Sequence, residues 1–181
     1  KIGKLPILEH IINIYLKYGF SDFILATGYK SRVIENYFYK KKINANIRCV
    51  NTGKKTLTGG RIKRLKKYFK EDEDFMVTYG DGLSDVNIRK LVKFHKFHKK
   101  IATMTTIHPP ARFGELEIKN SKIVSFEEKP QLTKGWINGG YFVFNYKLFN
   151  FLSNKNKMLE REAIQKIISK KNFMAYEHNG F

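Results

Sequence analysis

The stretch Asp74–Asp85, DFMVTYGDGLSD, sets a carboxylate between two glycines directly after a short apolar run. Phe75-Met-Val-Thr-Tyr79 reads as a buried strand, and Gly80-Asp81-Gly82 stops it. Glycines there permit a tight turn and close approach of a ligand to the backbone. A carboxylate at the end of such a strand lies where open α/β sheets bind ligands. It can hold magnesium, which takes one or two carboxylates and fills its shell with substrate phosphates. The alternative is an Asp-Gly turn joining two strands. The helical pattern after Asp81, as in a βα crossover, favours a site.

Other stretches carry chemistry of a compatible kind. Thr52–Gly60, TGKKTLTGG, is a glycine- and threonine-rich loop ahead of a helical pattern over Ile62–Phe69. Backbone N–H groups in such a loop can meet phosphate or a base edge. It matches neither the Walker nor the dinucleotide fingerprint, and a plain loop is the competing reading. Lys129 stands before Pro130, which biases it toward extended backbone, and its ammonium is a compact charge for phosphate; a surface salt bridge is the alternative. Asn138-Gly139-Gly140 exposes backbone ahead of another apolar run. His95 and His98 lie on neighbouring helical turns, but no third ligand is near in sequence, so they read as part of an amphipathic face.

The elements that must position these groups alternate in type. Helices are expected over Pro6–Tyr18, with Gly19 at its end, over Ser31–Tyr39, Ile62–Phe69, Val86–His98 with Asp85 as cap, Lys147–Leu152 and Glu160–Lys170. Strands are expected over Asp22–Thr27, Asn46–Asn51, Phe75–Tyr79, Ile101–Ile107, Tyr141–Asn145 and Phe173–Glu177, with a hairpin of Glu115–Lys119 and Lys122–Glu127 across Asn120-Ser121. Strands alternating with helices predict one α/β domain with a mainly parallel sheet flanked by helices.

The 181 residues suffice for one domain with a real core. No run approaches a membrane span and no signal peptide is visible, so no membrane partner is expected. A single cysteine, Cys49, excludes an internal disulfide and fits a reducing cytoplasm; its setting among Ile47, Arg48 and Val50 suggests a buried strand thiol. The net charge of +19 raises nucleic-acid binding as a competing function. The lysines are dispersed, however, and Lys, Ile, Asn, Phe and Tyr all have A/T-rich codons. No nucleic-acid partner is expected, and the charge is equally compatible with an anionic small substrate.

Five motifs occur in one order: TGGR at Thr58–Arg61, YGDG at Tyr79–Gly82, RFG at Arg112–Gly114, EEKP at Glu127–Pro130 and INGGYFVF at Ile137–Phe144. Together they resemble the glucose-1-phosphate cytidylyltransferase family of sugar-phosphate nucleotidyltransferases, and the opening KIGKLPILEHI and closing MAYEHNGF add to the likeness. The resemblance implies a Rossmann-like nucleotidyltransferase fold and a reaction of CTP with glucose 1-phosphate giving CDP-glucose and pyrophosphate. That product feeds deoxysugars of surface polysaccharide. By the same resemblance Asp81 is a catalytic residue and the first ligand of Mg²⁺, and Lys129 is catalytic. Thr56, Thr58, Gly59, Gly60, Arg61 and Gly80 fall on the nucleotide side. Gly114, Glu128, Lys129, Asn138 and Gly139 fall where the sugar phosphate is held. A homo-oligomer is implied. A UTP- or dTTP-using relative and a non-catalytic sugar-nucleotide-binding homologue remain the competing readings.

In that family a glycine-rich pyrophosphate loop and a basic residue precede the position of Lys1, and a second metal carboxylate follows that of Phe181. The chain is therefore expected to be a single domain truncated at both ends. Residues 1–181 alone are expected to release no pyrophosphate from CTP, glucose 1-phosphate and Mg²⁺; sustained release in a coupled assay would show that groups within this chain replace that loop.

Overall fold

The computed structural model describes residues 1–109, 115–127 and 135–180. The elements run α1 (Ile7–Lys17), β1 (Asp22–Thr27), α2 (Ser31–Lys40), β2 (Asn46–Asn51), α3 (Thr58–Arg64), β3 (Asp74–Thr78), α4 (Ile88–His98), β4 (Ala102–Ile107), β5 (Glu115–Lys119), β6 (Lys122–Glu127), β7 (Ile137–Asn145), α5 (Ala163–Ser169) and β8 (Phe173–His178). Short 3₁₀ turns at Lys66–Tyr68 and Tyr146–Asn150 follow α3 and β7. The expected α/β architecture is present, with a mixed sheet. β3, β7, β4 and β8 form a four-stranded sheet in that order; β7 runs antiparallel to both neighbours and β8 parallel to β4. β1 and β2 pair in parallel as a separate two-stranded sheet, and β5–β6 is a free-standing hairpin. Asn120 and Ser121 both take positive φ, as a two-residue turn matching the twist of its strands requires.

β7 organises the core. Its side chains alternate in direction, and both faces are covered. Tyr141 and Val143 pack with Ile11 and Tyr15 of α1 and with Val86, Ile88 and Leu91. Phe142 and Phe144 pack with Phe75, Leu148, Phe149, Leu159, Ile164 and Ile167. Tyr141, Phe142 and Phe144 are fully buried. α1 also reaches the smaller sheet: the Tyr15 ring meets Phe23 of β1 edge-on and Tyr141 of β7 face-on.

Several boundaries differ from the sequence reading for local reasons. α4 starts two residues later than expected, because Asn87 rather than Asp85 accepts the capping bond from the Lys90 N–H. Asp85 instead accepts from His178 Nε2 at 2.7 Å. α3 starts at Thr58 rather than Ile62, so two of the loop glycines are helical. α5 starts at Ala163 rather than Glu160. Cys49 is half-buried, and burial raises its thiol pKa.

The two histidines of α4 do belong to its packed face, and they form a directed chain. The Lys100 N–H donates to His98 Nδ1 at 2.9 Å, which leaves the His98 proton on Nε2. That proton goes to Thr103 Oγ1 at 2.7 Å, and the threonine hydroxyl then donates to His95 Nδ1 at 2.8 Å. His95 Nε2–H faces Asp74 Oδ1 at 3.5 Å. Burial is the largest influence on both imidazoles and lowers both pKa values, outweighing the pull of Asp74; Lys96 beside His95 and Lys100 beside His98 act in the same direction as burial. The fold therefore holds two neutral histidines that the unfolded chain protonates below its ordinary value of 6.5. Their contribution to stability is present above that pH and is lost as pH falls below it. The urea midpoint is expected to drop between pH 7 and pH 5, and to drop less in His98→Gln, whose amide keeps the donor to Thr103 without the titration. Equal profiles for the two proteins would show that His98 ionises at no cost to the fold.

Candidate functional site

The C-terminal ends of β1, β2 and β3 are tied together through the first turn of α3. Arg61 Nη1 donates to the Thr27 carbonyl at 2.9 Å and to Thr52 Oγ1 at 2.6 Å, bridging the ends of β1 and β2. Arg64 Nη1 donates to the Thr52 carbonyl, and Thr56 Oγ1 donates to the same carbonyl at 2.5 Å. From the other side, Thr58 Oγ1 donates to Glu160 Oε2 at 3.0 Å, while the Tyr79 hydroxyl donates to Glu160 Oε1. Tyr79 is the residue after β3 and the one before Gly80-Asp81. Its backbone N–H donates to the Gly140 carbonyl at 3.3 Å, and its hydroxyl accepts from Asn138 Nδ2 at 3.4 Å. Burial, then the Glu160 carboxylate, raises the Tyr79 pKa, so the phenol stays a donor.

The glycines divide into two groups. A Cβ at Gly59 would lie 2.9 Å from the Lys157 carbonyl and 3.1 Å from the Leu159 nitrogen, and one at Gly60 would lie 2.9 Å from Asn156 Oδ1. These two are glycine because the segment from Asn156 to Glu160 passes directly over them. Asn156 also binds the loop before α3, accepting from the Leu57 N–H at 2.7 Å and donating to the Lys55 carbonyl at 2.9 Å. The Gly60 N–H donates to the Lys157 carbonyl at 3.3 Å. The loop amides of Leu57 and Gly60 are thus used within the protein and are not left for phosphate or a base edge. Gly80 and Gly82 are the opposite case. Neither has positive φ, and a Cβ on either would meet nothing within 4 Å. Asp81 between them is exposed. Among the described residues no atom gives a reason for glycine there, and they leave the space beside the carboxylate open.

Of the residues singled out by sequence, Thr56, Thr58, Gly59, Gly60 and Arg61 lie at the ends of β1 and β2, Gly80 and Asp81 at the end of β3, and at the start of β7 Asn138 lies beside the Tyr79 hydroxyl and Gly139 against Thr105 and Ile107 of β4. The contacts from Arg61 through Thr58, Glu160 and Tyr79 to Asn138 make these one continuous region. Gly114, Glu128 and Lys129 lie outside the described residues. For magnesium, Asp81 is one exposed carboxylate with room around it, and that donor suits a hard cation whose other ligands are waters and phosphates. No cluster of three or more metal-ligating side chains exists among the described residues. Sequence reading missed Asn156 and Glu160, which lie about a hundred residues from the loop they bind; no local pattern marks them. In sequence Tyr79 is a strand residue and the first of the YGDG motif, with nothing to mark its hydroxyl.

The arrangement matches solved structures of one fold. A UDP-glucose pyrophosphorylase from Acinetobacter baumanii superposes with a TM-score of 0.72 at 17% identity, over 100% of this chain and 78% of that one. The chain therefore has the nucleotidyltransferase fold, with its candidate residues gathered at the strand ends. The family model for nucleotidyl transferases matches residues 1–180. The chain is 38% identical to the glucose-1-phosphate cytidylyltransferase of Salmonella typhimurium, over 100% of its own length and 79% of that protein's. It is 37% identical to a Bacillus subtilis protein described as a "probable glucose-1-phosphate cytidylyltransferase", over 99% and 79%. This protein belongs to the nucleotidyl transferase family.

The two groups of glycines generate a prediction. Gly59→Ala is expected to lower stability by about 1–3 kcal/mol, the usual cost of forcing atoms into a packed contact. Gly82→Ala is expected to change stability by less than about 1 kcal/mol. Urea denaturation of the two variants checks this; equal losses would mean that the segment over α3 yields freely.

Proposed function

We propose that the protein transfers a cytidylyl group from CTP to glucose 1-phosphate, giving CDP-glucose and pyrophosphate. The observation that carries this reading is Asp81, an exposed carboxylate at the end of β3 between two glycines whose Cα faces are open. Its YGDG context and the 38% identity to a curated cytidylyltransferase support the choice of reaction.

The phosphate oxygen of the sugar attacks the α-phosphorus of the nucleotide, an α-phosphorus–oxygen bond forms, and the bond to the departing pyrophosphate breaks. The protein has little covalent work to do, so placement and charge compensation dominate. Asp81 would hold Mg²⁺, which when bound neutralises charge on the nucleotide phosphates. Arg61 spends Nη1 on Thr27 and Thr52, and its remaining N–H groups make no bond to the described residues; they are the donors left for the nucleotide. Thr56, Thr58 and the two glycines shape that side, and Gly80 leaves the backbone approachable. Asn138 and Gly139 belong to the sugar-phosphate side. So do Gly114, Glu128 and Lys129, the lysine steadying the attacking phosphate and the glutamate accepting from sugar hydroxyls. Cytoplasmic location and assembly into a homo-oligomer complete the reading; no described helix is long and apolar enough to cross a membrane.

In the complete protein, Asp81→Asn is expected to keep the fold and lose more than about a hundredfold in turnover, because it removes the charge facing the metal at nearly constant size. Pyrophosphate release measured against CTP, UTP and dTTP checks both the residue and the base. Near-normal Mg²⁺-dependent turnover in the mutant would remove Asp81 from the mechanism. A complete wild-type protein, as distinct from residues 1–181 alone, that binds nucleotide sugar without turnover would identify a non-catalytic homologue.

A further inference from the structure

Glu160 lies in the segment that crosses α3, before α5, and its two carboxylate oxygens are engaged by different elements. Oε2 accepts from Thr58 Oγ1 at 3.0 Å and Oε1 accepts from the Tyr79 hydroxyl. The direction of each bond is fixed by a third group. Thr58 Oγ1 accepts the Leu159 N–H at 2.9 Å, so its own proton is free for Glu160. The Tyr79 oxygen accepts from Asn138 Nδ2 at 3.4 Å, so its proton is likewise directed to Glu160.

We infer that Glu160 is a positioning residue that couples the nucleotide side of the site to the sugar-phosphate side. The inference rests on the assignment of those two sides made above. Thr58 shares its helical turn with Gly59, Gly60 and Arg61. Tyr79 is bonded covalently to Gly80-Asp81 and through its hydroxyl to Asn138. One anion therefore sets the spacing between the residues assigned to the nucleotide and those assigned to the metal and the sugar phosphate. In the proposed reaction that spacing is the distance between the attacking oxygen and the α-phosphorus, to which rate is steeply sensitive.

The chemistry requires a carboxylate. Both partners are donors, and an amide offers only one acceptor oxygen to them. Tyr79 is otherwise anchored independently of Glu160, by its backbone bond to Gly140 and by edge-on packing of its ring against Phe142 at 5.6 Å. Loss of the carboxylate thus frees a phenol hydroxyl and a threonine hydroxyl and leaves the strand end in place. The neighbouring Glu162 does not share the role: its Oε1 pairs with Lys166 at 2.8 Å on α5.

The experiment compares wild type, Glu160→Gln, Tyr79→Phe, Thr58→Val and all three pairwise combinations in the intact protein, with kcat, both KM values and the urea midpoint recorded for each. Glu160→Gln is expected to lose roughly tenfold to a hundredfold in kcat/KM, the range for one hydrogen bond to a charged group, with both KM values raised. Tyr79→Phe is expected to raise chiefly the glucose 1-phosphate KM and Thr58→Val chiefly the CTP KM. Neither is expected to add a further loss once Glu160 is Gln, because both act through it. Each single variant removes one hydroxyl, so the coupling stays measurable even where Glu160→Gln folds poorly: Tyr79→Phe and Thr58→Val combined would then lose less than the product of their separate effects. A uniform fall in kcat that follows the urea midpoint, with KM values unchanged and losses that multiply, would make Glu160 a purely structural residue and overturn the inference while the proposed reaction stands. Wild-type protein that binds neither CTP nor glucose 1-phosphate by calorimetry would overturn the reaction and this inference together.

Discussion

Burial of β7 on both faces is the constraint from which the rest of the structure follows. A strand covered on one side alone can tolerate polar residues at alternate positions. β7 has Tyr141 and Val143 toward α1 and α4, and Phe142 and Phe144 toward Phe75, Phe149 and α5, all inside the core. Both layers of the domain are therefore held to one strand. β3 and β4 pair on either side of it, and the start of the same strand carries Asn138 and Gly139. The position of the candidate site is thus inherited from the best-packed element: Tyr79 rests its ring on Phe142 and extends its hydroxyl toward Glu160.

Much of this fold was legible because the relevant signals are local. Apolar runs of five or six residues located β1, β2 and β3 to within a residue, and Asn120-Ser121 marked the hairpin turn. The start of α3 was not legible. Two consecutive glycines disfavour helix by about 1 kcal/mol each, and only the segment over Asn156–Glu160, packed against them, reverses that preference. Glu160 itself was expected inside α5, but its side chain is drawn to Thr58 and Tyr79, and the helix begins later. The choice of Asn87 over Asp85 as cap has a similar origin, since Asp85 has a tertiary partner in His178. The large sheet's antiparallel strand was hidden as well, because strand direction depends on connections, not on residue type.

The site divides along the same line. Asp81 and Arg61 were visible as charged groups beside glycines, and the structure puts both at strand ends. What sequence did not show is how those ends are tied to one another. The ties are side-chain hydrogen bonds between residues far apart in the chain, such as Leu57 with Asn156 and Thr58 with Glu160. They leave no periodic trace, and their members are ordinary polar residues. The glycines illustrate the ambiguity. Gly59 and Gly80 look alike in sequence, yet one is required by neighbouring backbone and the other faces open space.

The separation of β1–β2 from the larger sheet has a dynamic consequence. Cooperative units within a domain open with different free energies, according to how much packing and pairing each must give up. Among the described residues the two-stranded unit has backbone pairing only within itself, and reaches the large sheet through side chains such as Tyr15. It has less backbone pairing to give up than the strands around β7, so local opening there is the expected lower-cost event. Arg61 takes one acceptor from the end of each strand of that unit, so any such opening removes both at once and releases its guanidinium from the scaffold. Breathing of the smaller sheet would therefore change the aim of that guanidinium.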